Sequence, residues 1–200
     1  MTISAAQIKE LREATGAGML DCRKALESYG GDMEKAVASL REKGLATAAK
    51  RADRATLNGI VDLYSHGEGR VGVMVELNCE TDFVARTKEF RTFAHELALQ
   101  VAANSPEYVR PEDVPAVILE AERQKARALA LGEGKPEKVI ERIIQGRLDK
   151  YYDEHCLLRQ AYIRDDAKKI GDLLQEAIAS TGENIVIRRF ARWAVGEEIG

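Results

Sequence analysis

From Val71 to Cys79 the chain reads VGVMVELNC, with Val71, Val73, Val75, Leu77 and Cys79 at every second position. Successive strand side chains point to opposite faces, so this spacing builds one sheet face that has to be covered. A chain that carries it must supply partner strands and a layer to pack on that face. The pattern then breaks. Asn78, Glu80, Thr81 and Asp82 are polar, and Phe83 follows them. Two readings of the break are open. Either Thr81 or Asp82 caps a following helix while Phe83 packs inward, as large aromatics usually do, or the carboxylate and the ring form a protruding contact at the strand's end.

The rest of the chain supplies the cover. Gly59 to Ser65 can pair with Arg70 to Cys79 through His66-Gly67-Glu68-Gly69 as an antiparallel hairpin, and Ile185-Val186-Ile187 with Phe190 and Trp193 supply a third strand. Phe90, Phe93, Ala94, Leu97 and Val101 give a helical stripe that stops at Ser105-Pro106. Further helices are expected over Ala116–Leu131, over Pro136–Tyr152, and over Ala167–Ser180 ahead of Gly182. The N-terminus reads as three short helices. Ser4 with Gln7 forms a capping-box pattern before Ile8, Leu11 and Ala14, and Gly16-Ala17-Gly18 ends that helix. Met19, Cys22, Leu26 and Tyr29 mark a second helix ending at Gly30-Gly31, and Asp32 caps a third, with Val37 and Leu40 inward and Gly44 as its stop. The alanine-rich stretch 46–58 reads as a helical or flexible linker. The expected fold is therefore α+β: a three-helix domain over 1–45, a linker over 46–58, and a core over 59–200 with a three-stranded antiparallel sheet and packed helices.

Composition narrows the function by exclusion. Thirty Lys and Arg against thirty-three Asp and Glu leave a net charge of −3, so no global field points to nucleic acid or to a membrane surface. There is no apolar run of about 18 residues, and Met1–Glu10 lacks the apolar centre of a signal peptide. Cys22, Cys79 and Cys156 are odd in number and lack metal-ligand spacing, as suits small hydrophobic thiols in a reducing cytoplasm. His66, His95 and His155 stand apart from any nucleophile, and no HExxH or paired CxxC offers a metal site. Gly16-Ala17-Gly18 lacks the full phosphate-loop pattern and does not follow a strand. The expectation is a protein without its own active site, cofactor or metal. A nucleic-acid binder using the basic residues of the linker is the weaker alternative, because interleaved aromatics are missing.

Four ordered segments carry a family resemblance. TDFVAR at Thr81–Arg86, LREATGAGMLDCRKAL at Leu11–Leu26, GKPEKVIERIIQGRLDKYYDE at Gly134–Glu154 and GENIVIRRF at Gly182–Phe190 resemble bacterial translation elongation factor Ts in its short form. The chain departs from the usual pattern at Leu20, where the family has a second Met, and over Leu157–Tyr162. The resemblance implies a guanine-nucleotide exchange factor for the GTPase elongation factor Tu, acting in the cytoplasm during translation elongation. It implies that the N-terminal domain is UBA-like. It also implies that Thr81, Asp82, Phe83 and Val84 intrude near the partner's Mg²⁺ site, and that Arg12, Met19 and Leu20 touch its nucleotide domain. For Met19 and Leu20 simple core packing stands as the alternative. No direct contact with nucleic acid or membrane is expected.

The last strand adds an expectation about assembly. Asn184–Val195 places Ile185, Ile187, Ala191, Trp193 and Val195 on one face and Val186, Phe190 and Ala194 on the other. A strand apolar on both faces needs cover on both, and one layer of helices protects one. Short members of the family form homodimers, so the second face or the edge is the expected self-association surface.

Overall fold

The computed structural model describes residues 3–198. Helix α1 (Ala5–Thr15) begins in a capping box: the Ser4 amide donates to Gln7 Oε1 and the Gln7 amide to Ser4 Oγ. It ends at Gly16, which is left-handed and donates its N–H to Arg12 O at 2.8 Å. Helix α2 (Met19–Ser28) and α3 (Met33–Arg51) complete the trio, and Asp32 Oδ1 accepts the Lys35 amide at the start of α3. Leu11, Cys22, Ala25, Leu26, Ala36 and Leu40 form their shared core, with Ile3, Ile8 and Val37 packed against it.

Two expectations about these helices are corrected. Ala14 lies exposed, and Thr15 takes the buried position, its hydroxyl donating to Leu11 O at 2.7 Å. Gly44 does not stop α3, which runs on to Arg51 and takes in the first half of the 46–58 stretch. Gly44 faces α8 (Ile170–Thr181): a Cβ there would lie 3.6 Å from Ala179 Cβ. That is ordinary contact distance, so the position has room for a methyl group, and glycine there costs about 1 kcal/mol in helix propensity relative to alanine.

The remaining elements follow in chain order. They are β1 (Asn58–His66), β2 (Val71–Cys79), α4 (Asp82–Ala85), α5 (Lys88–Asn104), α6 (Ala116–Gly132), α7 (Glu137–His155), β3 (Ala161–Tyr162), β4 (Asp165–Lys169), α8 and β5 (Ile185–Ala194). The main sheet is antiparallel in the order β1-β2-β5, so the alternating strand is central. Val73, Val75, Leu77 and Cys79 are all buried, as are Ile185 and Ile187 of β5. Gly59 is fixed by its neighbour. A Cβ on it would meet Leu77 O at 2.2 Å, and its φ of 150° lies where side chains are rarely accommodated.

The helical reading of Ala167–Lys169 is corrected: these residues belong to β4, which pairs with β3 through Ala161↔Lys169 and Tyr162↔Asp165. Its sequence, DDAKK, has no apolar alternation, and the pairing depends on buried amides. Gln100, fully buried, donates to Gln160 Oε1 and Ala161 O, and its own oxygen accepts the Ile163 amide. Helices α6 and α7 form an antiparallel hairpin around Ala126, Ala130, Ile140, Ile144 and Leu148.

The chain forms two compact units. The first holds the chain up to Asp62 with Val75–Glu96 and Asp172–Arg188; the second holds Leu63–Met74, Leu97–Gly171 and the chain from Arg189. Gly59→Ala tests the tight strand pairing inside the first. It is expected to lower stability by about 1–3 kcal/mol through overpacking and backbone strain, measured as a shift of the urea midpoint.

Candidate partner-binding surface at Thr81–Val84

The buried alternation of β2 ends at Cys79, and the chain turns at once into α4. Thr81 is the N-cap, extended at φ −124° and ψ 156°, and its Oγ1 accepts the Val84 amide. Ala85 packs inward and is 5% exposed. Phe83, two residues earlier on this short turn, points the other way and is 79% exposed. Of the two readings left open, inward packing of the ring is therefore excluded. Val84 is half-buried, and Asp82 is exposed and pairs with Arg86 at 3.0 Å. An exposed pair at this spacing contributes about 0.3–0.5 kcal/mol, so Asp82 is not committed to its partner.

The base of this protrusion is polar and closely tied. Glu183 Oε2 accepts the amides of Glu80 and Thr81 at 3.1 and 3.0 Å, and its Oε1 accepts the Thr81 hydroxyl at 2.5 Å. Glu80 Oε1 accepts the Asn184 amide at 2.7 Å, and its Oε2 lies 3.4 Å from Arg54. The Asn184 side chain donates to the carbonyls of Ala52 and Arg54, and Asn58 donates to the carbonyl of Glu80. The Asn184 amide, with help from Arg54, holds the Glu80 carboxyl below its usual range. Burial and the nearby Glu183 carboxylate push the Cys79 thiol up to about 11, so it stays protonated and donates to Thr81 O. The sequence reading missed Glu80, Glu183 and Asn184. The one available signal was a carboxylate and an amide wedged between the helix-ending Gly182 and an apolar strand.

Met19 and Leu20 open α2 directly after the N-cap Gly18, and they are 47% and 73% exposed. Arg12 is exposed in the last turn of α1. Like Thr81–Val84, these three residues belong to the first unit. The histidines sit elsewhere: His66 beside Tyr64 Oη, His95 beside Asp62, and His155 beside Glu107 and stacked on Tyr151. Among the described residues no group of three His, Cys, Asp or Glu is placed to hold a metal ion, and no helix is long and apolar enough to cross a membrane.

The class the fold defines is an α+β scaffold in which a short capped turn, tied at its base by Glu183, carries one aromatic ring in solvent. The family model for Elongation factor TS matches residues 2–197. An Elongation factor Ts from Caldanaerobacter subterraneus subsp. tengcongensis is 60% identical over 197 residues, covering 98% of both chains. One from a Thermoanaerobacter species is 59% identical, covering 98% of this chain and 97% of its own, and one from Coprothermobacter proteolyticus is 54% identical, covering 98% and 100%. This chain belongs to the elongation factor Ts family, a family of translation elongation factors.

The lowered Glu80 carboxyl has a consequence for acid stability. The unfolded chain binds that proton more readily than the folded one, so the contribution is present above the ordinary value of 4.5 and is lost as pH falls through the folded value. Glu80→Gln is therefore expected to melt with a shallower loss of Tm than the parent between about pH 5 and pH 3. Parallel melting curves across that range would show that the Asn184 contact does not stabilise the charged form.

Proposed function

We propose that this protein is a guanine-nucleotide exchange factor that binds elongation factor Tu in its GDP form in the cytoplasm and promotes GDP release by disturbing the Mg²⁺ and phosphate site. Family membership supports the partner, and the exposure of Phe83 on a capped, anchored turn carries the mechanism. GTPases hold their nucleotide through a phosphate loop and a bridging Mg²⁺ ion. An exchange factor need not touch the nucleotide. It must bind the empty state better than the loaded one, and by linkage the nucleotide then weakens the factor equally.

Magnitudes say how many contacts this takes. A ten-thousandfold faster release needs a barrier lower by about 5.5 kcal/mol. Burying one Phe yields about 1.5–3 kcal/mol. Phe83 wedges between partner side chains near the metal, Asp82 engages polar groups there, and Thr81 and Val84 hold the turn. The remainder comes from a second contact, in which Arg12, Met19 and Leu20 grip the partner's nucleotide domain. The three N-terminal helices, which end at Arg51, then serve as the gripping module, the remainder of 46–58 as its tether, and 59–200 as the exchange and dimerisation core. Phe83→Ala is expected to slow stimulated release of labelled GDP about 10- to 100-fold in stopped flow and to leave Tm nearly unchanged. A large fall in Tm with normal release would remove the assignment.

Self-association completes the reading. In the second unit the sheet strands leave Leu63 67%, Met74 38% and Trp193 60% exposed, and Val195, directly after β5, is 74% exposed. Large apolar side chains left on a sheet in this way mark an association surface. Light scattering is expected to give twice the chain's 22.1 kDa. Leu63→Asp, a change at an exposed position, is expected to halve that mass without unfolding the chain. A parent mass of one chain at micromolar concentration would end the dimer proposal.

A further inference from the structure

Helix α4 is four residues long and cannot hold its own conformation, because the first turn fixes several residues for a single hydrogen bond. The angle at which Phe83 leaves β2 must be set from outside. Ala85 supplies one anchor by packing inward. The other is Glu183, whose carboxylate takes three hydrogen bonds, all from the two residues ahead of Asp82. Bonds to an ionised acceptor are roughly twice as strong as neutral ones.

The third bond also directs the cap. A hydroxyl has one proton; with that proton given to Glu183, the lone pairs of Thr81 Oγ1 are left for the Val84 amide. Glu183 therefore fixes both the backbone entering α4 and the orientation of its capping group. The tie is returned, since Glu80 accepts the Asn184 amide while Asn184 holds the carbonyls of Ala52 and Arg54. Each carboxylate binds backbone of the other's segment, so neither strand end can swing without breaking both.

We infer that Glu183 is a positioning residue for exchange: it presets Phe83 in its projecting pose, so that ordering the turn is not left to the encounter with the partner. This inference rests on the reading of Thr81–Val84 as the partner contact. Two measurements separate the inference from that reading. In the free protein, Glu183→Ala is expected to speed amide hydrogen exchange at Glu80 and Thr81 about tenfold or more, since both amides lose their acceptor. With the partner GTPase and labelled GDP, Glu183→Ala is expected to lower the maximal release rate about tenfold, with a smaller change in the concentration giving half that rate.

The deciding comparison is made in the Phe83→Ala background, where Glu183→Ala should change release by less than about twofold, because a residue that acts through Phe83 has nothing left to position. Glu183→Gln keeps an oxygen for both amides and should restore most of the rate. An equal loss with and without Phe83, or unchanged amide protection, overturns the inference. If Phe83→Ala alone leaves release normal, the partner-contact reading fails and the inference about exchange fails with it, while the amide data still judge the tie itself. Should Glu183→Ala not fold, Thr81→Val removes the hydroxyl at nearly constant shape and must show the same dependence on Phe83.

Discussion

A strand that is buried on one face and ends beside solvent leaves its last amides without a ladder partner, and this chain answers with carboxylates. Glu183 accepts the two amides that follow Cys79, and Glu80 accepts the amide that precedes β5. Backbone groups left unpaired at such half-buried positions would cost about 1–3 kcal/mol each. The short α4, its Thr81 cap and the outward ring all follow from that exchange of acceptors. The same contacts bring the end of α3, the start of β1 and the end of α8 to one place, through Ala52, Arg54, Asn58 and Asn184.

Local sequence was a good guide where one residue decides one geometry. The β2 alternation, the capping box at Ser4, the helix end at Gly16 and the cap at Asp32 all depend on neighbours within a few positions, and the structure has each of them. It was a poor guide where a local signal is weak or the deciding atom is far along the chain. Gly44 reads as a helix stop, yet α3 runs through it to Arg51, because an isolated glycine costs a helix only about 1 kcal/mol. The charged run Asp165–Lys169 carries no strand signal, since its pairing rests on Gln100 and Gln160 from elsewhere. Thr15 takes the buried place expected of Ala14, and its hydroxyl avoids being left unpaired there by donating to Leu11 O.

The candidate surface was legible in position and not in pose. Thr81–Val84 stood out because a polar break follows a regular strand, yet local preference alone favours burying an aromatic. Ala85 takes the inward direction, and Phe83, two residues back on the same turn, is left outward. The residues that hold this pose were invisible for a different reason. Glu183 lies about a hundred positions away, and nothing in its own neighbourhood says which amides it will accept.

The last turn of α8 lies against the N-terminal helices: Cβ atoms at Gly16 and Gly44 would be in ordinary contact, 3.6 Å, with those of Ser180 and Ala179. Only three residues separate Ala179 from Glu183, and Asn184 follows directly. The stretch is therefore held at both ends, by the α8 contact and by the Glu183 and Asn184 hydrogen bonds. A one-residue insertion or deletion between Ala179 and Asn184 would pull either the helix contact or the carboxylate out of register. The turn joining α6 to α7, by contrast, is exposed from Glu133 to Pro136 and could change length freely. Across natural variants of this chain, length variation should gather at the hairpin turn and be absent between α8 and β5.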